Sequence, residues 1–311
     1  MEVKKFFTRL ILFGFPFLLT LPVVEYGLSR IPNSYNTKKK YLEAQLDSIE
    51  VVNIGSSHAA YSIDPKYISR HAFNLGNVAQ SIYYDKELLK IYMPRMPHLK
   101  EVIIPISYFS LNYRLSDSPE AWRAYFYQRT YGIPVRIRHF MDYFEYTYLK
   151  MYYPETVKYT LKFCKVDLVP NLTHAGYLSR DTVFTGFLDT TGVGITTTRA
   201  LSGEHAIDHT ESVADLEEMV AAIRARGVKV TFITTPAMKE YRDLCDARVW
   251  QQNYEVIQRL CDKYHCNYKN YLADERFTKS DYNDYSHANF IGAAKFSKII
   301  DEEVVSAIDQ K

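Results

Sequence analysis

Short apolar runs alternating with helix-length stretches constrain this chain more than any other feature of its sequence. The runs are Ile49 to Ile54, Ala72 to Leu75, Glu101 to Ser107 and Val228 to Thr235, and a further short strand is expected over Cys266 to Asn270. Between and after them come helical stretches. Ser81 to Tyr92 places Leu88, Leu89 and Tyr92 at helical spacing and is ended by Pro94 and Pro97. Ser212 to Arg226 stops at Gly227, and Ala247 to Tyr264 and Phe290 to Ile308 complete the set. Strands that alternate with helices imply a parallel sheet covered on both faces, because each parallel pair needs a crossover that packs back on the sheet. The expected fold class is α/β, with ligand sites at the C-terminal edges of the strands.

Three segments stand outside this alternation. Residues 113–210 form an insertion, aromatic-rich and helical at first, notably His139 to Tyr152, then rich in Thr, Gly and Ser from 171 onward. Phe6 to Val24 is apolar on every face and close to bilayer-spanning length if Arg9 snorkels, so residues 1–29 read as an N-terminal membrane helix. A cleaved secretory signal is the alternative, but no small-x-small cleavage site follows the apolar run. Lys4, Lys5 and Arg9 on one side are balanced by Arg30 and Lys38 to Lys40 on the other, which leaves the orientation open. Residues 30–47 are polar and read as a stalk, and residues 48–311 as one domain.

The formal net charge is +2 with acids and bases dispersed, which argues against a nucleic-acid partner. Cys164, Cys245, Cys261 and Cys266 contain no Cys-x-x-Cys pair, so no zinc site of the usual spacing is indicated. Free thiols, or a disulfide joining Cys261 to Cys266 or Cys245 to either, remain open. Many of the 27 tyrosines cluster between Tyr108 and Tyr159, as a glycan-binding wall, a wet interface or ordinary core. His205 and His209 are four apart in Glu204 to His209, but no helix is evident there and a polar loop is expected. Asn171-Leu172-Thr173 has the pattern of a glycosylation acceptor, which has meaning only in a host that glycosylates.

Two short stretches carry the chemistry. Asn53-Ile54-Gly55-Ser56-Ser57-His58 delivers serine at the C-terminal edge of the first strand. Asp284-Tyr285-Ser286-His287-Ala288-Asn289 places a carboxylate three residues before a histidine, just ahead of the last helix. A serine hydroxyl needs a base to take its proton, and a histidine base needs a group that fixes its tautomer. His287 and Asp284 fill those two roles. The backbone of His58 is tied next to the serine, so it reads as a pocket residue rather than the base; the competing reading has Asp284 or Asn289 merely capping the final helix.

This arrangement resembles the SGNH or GDSL hydrolase superfamily, in which a Gly-x-Ser block follows the first strand, a glycine follows the second, and Asp-x-x-His lies in the last loop. Gly55-Ser56-Ser57, Asn74-Leu75-Gly76 and Asp284 to His287 match in that order. The Gly-Ser-Ser form and the N-terminal segment look like membrane-anchored cell-envelope acylation proteins, the teichoic acid D-alanyl transfer protein and the alginate O-acetylation proteins. The resemblance implies a three-layer α/β/α, flavodoxin-like domain with catalytic Ser57, His287 and Asp284, Ser56 being the rival nucleophile. It places the oxyanion hole at the Ser57 and Gly76 backbone N–H groups, with His58 and Asn77 lining the pocket. The family's Gly-x-Asn-Asp block is absent after the third strand, and Ser107, Tyr108 or Asn112 are the candidate substitutes. No metal or cofactor is implied. The implied function is extracytoplasmic O-acyl transfer, of acetyl or another small acyl group, to a cell-envelope or exported polysaccharide. A single-pass membrane location and a multi-spanning membrane acyl-transfer partner go with it. Carbohydrate esterase or deacetylase activity, and a non-catalytic scaffold that binds glycan or a partner, are the alternatives.

Overall fold

Each expected strand forms, shortened at its ends to the residues that pair. In a computed structural model, which describes residues 2–30, 32–118, 120–136, 171–184 and 210–309, the chain begins with α1 (Glu2–Ser29) and α2 (Ser34–Glu43). Then follow β1 (Val51–Asn53), α3 (Ser57–Ser62), β2 (Ala72–Asn74), α4 (Ile82–Tyr92), β3 (Glu101–Pro105) and α5 (Ala124–Tyr131). After the insertion come α6 (Thr210–Ala225), β4 (Lys229–Thr234), α7 (Lys239–Leu244), α8 (Ala247–Tyr264), β5 (Asn267–Asn270) and α9 (Phe290–Ile300). The strands form one sheet in the order β2-β1-β3-β4-β5, every pair parallel, with Val51 opposite both Ala72 and Glu101. This is the flavodoxin-like order, in which the chain reverses direction across the sheet between β1 and β3.

Alternation along the strands sorts the core into two layers. Val52, Phe73, Val102, Ile104, Val230 and Phe232 pack against the apolar faces of α2, α4, α6 and α8. Val51, Ala72, Ile103 and Ile233 point the other way, to Phe296, Ile299 and Ile300 of α9. The expected three-layer α/β/α architecture is therefore present. Phe232 has no exposure. Phe232→Ala is expected to cost about 3–5 kcal/mol of stability through lost burial and the cavity left behind. Chemical denaturation of the two proteins checks this, and a loss below 1 kcal/mol would contradict the packing described.

Residues 30–47 require a correction, because the expected stalk is a docked helix. Asn33 caps α2 with a reciprocal capping box to Asn36, and Tyr35, Lys38 and Leu42 form its buried face. The run Lys38-Lys39-Lys40 masks a period of three to four residues. Its polar look comes from the residues that face water.

The N-terminal segment also departs from expectation. It forms the 28-residue α1, but among the described residues no helix is long and apolar enough to cross a membrane, so the membrane span is not supported. Uncharged residues 10–24 lie between Arg9 and Glu25, short of the about 20 that a span needs. Phe6, Ile11, Leu12 and Phe13 are nevertheless exposed on α1.

Tyr108, Tyr113, Tyr125 and Tyr127 are buried, with Tyr127 stacked on Tyr84 at 4.0 Å, so this part of the tyrosine cluster is core rather than a glycan wall. Cys245, Cys261 and Cys266 are free thiols. The stretch His139 to Tyr152, Cys164, Glu204 to His209 and most of the insertion lie outside the described residues.

Candidate active site

At the C-terminal end of β1 the chain turns sharply into α3. Gly55 has φ +126°, a conformation that side chains disfavour, and a Cβ there would lie 3.2 Å from the Ala59 Cβ. Its carbonyl accepts the Asn77 N–H at 3.0 Å and its own N–H bonds the Asp85 carboxyl. Ser56 is the N-cap of α3, its Oγ accepting the His58 N–H at 3.4 Å, so the capping role falls to the first of the two serines. Ser57 is the first residue of the helix and remains part-exposed.

On the other side of the site, a tight loop after β5 holds Asp284 and His287. The Asn283 N–H bonds the His287 carbonyl at 2.9 Å, Tyr282 and Ala288 form an antiparallel bridge, and Asn289 caps α9. Asp284 Oδ1 accepts the N–H groups of Ser286 at 3.0 Å and His287 at 2.9 Å. Its Oδ2 lies 2.8 Å from His287 Nδ1, and His287 Nε2 lies 2.8 Å from Ser57 Oγ. The fold thus brings Ser57, His287 and Asp284 into one continuous hydrogen-bonded chain across 230 residues of sequence.

The direction of these bonds follows from the carboxylate. Burial alone would raise the Asp284 pKa. His287, the two N–H donors and the Arg180 charge hold it well below the usual carboxylate range instead. An ionised carboxylate only accepts, so Nδ1 donates to it and Nε2 is left to accept the Ser57 proton. Arg180 and Tyr61 were not foreseen from sequence. The Arg180 guanidinium lies 4.3 Å over the Tyr61 ring, and that ring meets His287 edge-on at 5.4 Å.

The structure distributes the expected oxyanion residues differently. Among the described residues, the Ser57 N–H donates to no protein group. The Gly76 N–H, expected to point at substrate, donates to Asn74 Oδ1 at 3.0 Å. Gly76 is needed for packing, since a Cβ there would lie 2.8 Å from the Ala59 Cβ and 3.0 Å from the Gly55 carbonyl oxygen. Asn77 turns toward α2, its Oδ1 accepting from Ser34 Oγ at 3.1 Å, rather than lining the pocket. Tyr108 faces α8, where its hydroxyl accepts the Asp246 N–H at 3.1 Å. Among the described residues, no hydrogen bond joins Asn112, which is buried, to the triad. Ser107 reaches the site through His58, its Oγ lying 2.8 Å from His58 Nδ1.

Two buried ionisable groups brace the loops from behind. Asp85 receives Gln80 Nε2 at 2.6 Å, and burial raises its pKa to about 7. Lys38 donates to the Gly76 carbonyl, and burial lowers its pKa to about 7. Unfolding restores Lys38 to an ordinary pKa near 10.4, so between those values this side chain binds more protons in the unfolded chain and its contribution to stability rises with pH. From pH 7.5 to 9 the stability of wild type relative to Lys38→Met is expected to rise by about 1–2 kcal/mol, a difference in which the titrations common to both proteins cancel. Urea titrations of both proteins across that range test this, and parallel pH profiles would refute it.

Among the described residues, no three His, Cys, Asp or Glu side chains are grouped so as to hold a metal ion. No family model matches the chain, and no curated protein matches it. Solved structures that it resembles include a proposed platelet activating factor from Streptococcus pneumonia (11% identity, TM-score 0.43, covering 92% of this chain and 98% of that one). Others are a GDSL-like lipase from Bacteroides thetaiotaomicron (10%, 0.43, 89% and 98%) and a proposed acylhydrolase from Bacteroides fragilis (10%, 0.41, 87% and 96%). Likeness at this level carries no inference by itself; the strand order and the side-chain geometry carry it.

Proposed function

We propose that the chain is a serine acyl-transfer enzyme of the SGNH/GDSL kind. The observation that supports this most directly is the unbroken chain from Ser57 Oγ through His287 to Asp284. Ser57 Oγ attacks an acyl carbonyl while His287 Nε2 takes its proton, and the carbonyl electron pair moves onto oxygen. Collapse of that intermediate expels the leaving group, which takes the proton back from His287, and leaves an acyl ester on Ser57. Water or a sugar hydroxyl, deprotonated by His287, then attacks the ester and regenerates Ser57.

The finer reading is O-acyl transfer to a polysaccharide of the cell envelope, outside the membrane, with a multi-spanning acyl-transfer protein as donor. It is supported by the Gly-Ser-Ser block and by the exposed apolar side chains of α1 beside Lys4, Lys5 and Arg9, which suit attachment to an anionic bilayer surface. Supplying a small acyl ester with and without envelope oligosaccharide, and following free acid against acylated sugar, tests this. Acylated sugar in excess of free acid is the expected result. Free acid alone would reassign the enzyme as an esterase, and no turnover with either would reject the acyl-transfer reading.

A further inference from the structure

The buried ring of His58 stands beside that of His287, the centres 4.9 Å apart and the planes at 86°. Phe109 and Tyr241 approach it edge-on at 5.4 and 6.2 Å. One ring nitrogen, Nδ1, lies 2.8 Å from Ser107 Oγ. Ser107 is buried as well, and among the described residues its hydroxyl has no other acceptor. A hydrogen on Nδ1 would strand that hydroxyl proton, whereas a hydrogen on Nε2 lets Ser107 donate to Nδ1. The second arrangement leaves only the Nε2–H without a partner among the described residues. The ring stands directly beside the imidazole that bonds Ser57 Oγ.

The oxyanion formed at Ser57 needs preorganised donors, and the fold leaves a vacancy for one. The Ser57 N–H is available, but the Gly76 N–H is already bonded to Asn74, and Tyr108 faces elsewhere. We propose that His58, through its Nε2–H, donates the second hydrogen bond to the oxyanion, with Ser107 as the residue that fixes its tautomer. This rests on the acyl-transfer reading. A neutral ring suits the place, because a second cation would oppose the imidazolium that forms on His287. Burial and His287 together push the His58 pKa down to about 3, so the ring stays uncharged.

The test uses the full chain with p-nitrophenyl acetate, comparing wild type, His58→Phe and His58→Gln. His58→Phe is expected to lose about 10²- to 10³-fold in kcat with KM within about threefold, as on removal of an oxyanion donor. His58→Gln, whose amide restores an N–H at similar reach, is expected to recover at least about tenfold. In parallel, the 15N spectrum of histidine-labelled wild type should show His58 neutral and protonated on Nε2 from about pH 5 to 8. That readout does not depend on a variant folding. Unchanged kcat in His58→Phe, equal losses in both variants with raised KM, or a hydrogen on Nδ1 would each overturn the role of His58 while leaving Ser57 chemistry intact. A wild-type chain inert toward the ester and toward fluorophosphonate would instead overturn the acyl-transfer reading itself.

Discussion

Ser57→Ala is expected to lower kcat by about 10⁶-fold, the scale seen when a triad nucleophile is removed. The hydroxyl supplies the atom that bonds to the acyl carbon, and no neighbour can replace it. Ser56, the adjacent hydroxyl, is committed to capping α3. Ser56→Ala should therefore keep kcat within about tenfold and cost about 0.5–2 kcal/mol of stability, the usual range for a lost N-cap. Steady-state kinetics and denaturation of the two variants, side by side, separate the roles. Reversed results, with Ser56→Ala inactive and Ser57→Ala active, would move the nucleophile by one residue and leave the hydrogen bond to His287 without a catalytic purpose.

Asp284→Asn should cost about 10⁴-fold in kcat without disturbing the loop. An asparagine oxygen can still accept the Ser286 and His287 N–H bonds that shape it. Its amide, however, presents a donor toward His287 Nδ1, which favours the hydrogen on Nε2 and leaves the nitrogen facing Ser57 unable to accept a proton. The same substitution carries a pH signature. The Asp284 pKa is depressed in the fold, so its contribution to stability is present above the unfolded value of about 3.9 and is lost as pH falls through the folded one. The wild-type advantage over Asp284→Asn should therefore shrink in acid. Equal kcat for the two proteins would show that the carboxylate does not orient the base.

The sequence disclosed β1, β3 and β4 because they are buried on both faces and read as apolar runs, whereas β5, half-exposed and polar, was placed by the alternation with helices alone. Ala247–Tyr264 was legible to the residue, with Asp246 as its N-cap and His265 in the left-handed conformation ending it. Asp284 and His287 were legible because one loop carries both, so their mutual geometry is local. The second oxyanion donor was not. Nothing in Asn74-Leu75-Gly76 reveals that the Asn74 side chain turns back to take the Gly76 N–H while also donating to the Ala59 and Ile63 carbonyls.

Lys38 and Asp85 escaped for another reason. Charged residues in helices ordinarily face water, and only packing of α2 and α4 against the loops after β2 and β1 turns these two inward. His58 was placed near the site by its neighbour Ser57, yet its tautomer depends on Ser107, which arrives from β3.

Treating the full chain with a fluorophosphonate probe and mapping the modified residue by mass spectrometry asks the molecule itself whether Ser57 is the nucleophile. A single adduct is expected on Ser57, one that disappears in Ser57→Ala and is strongly slowed in Asp284→Asn. Failure of the folded wild-type protein to react, or an adduct on any other residue, would contradict it.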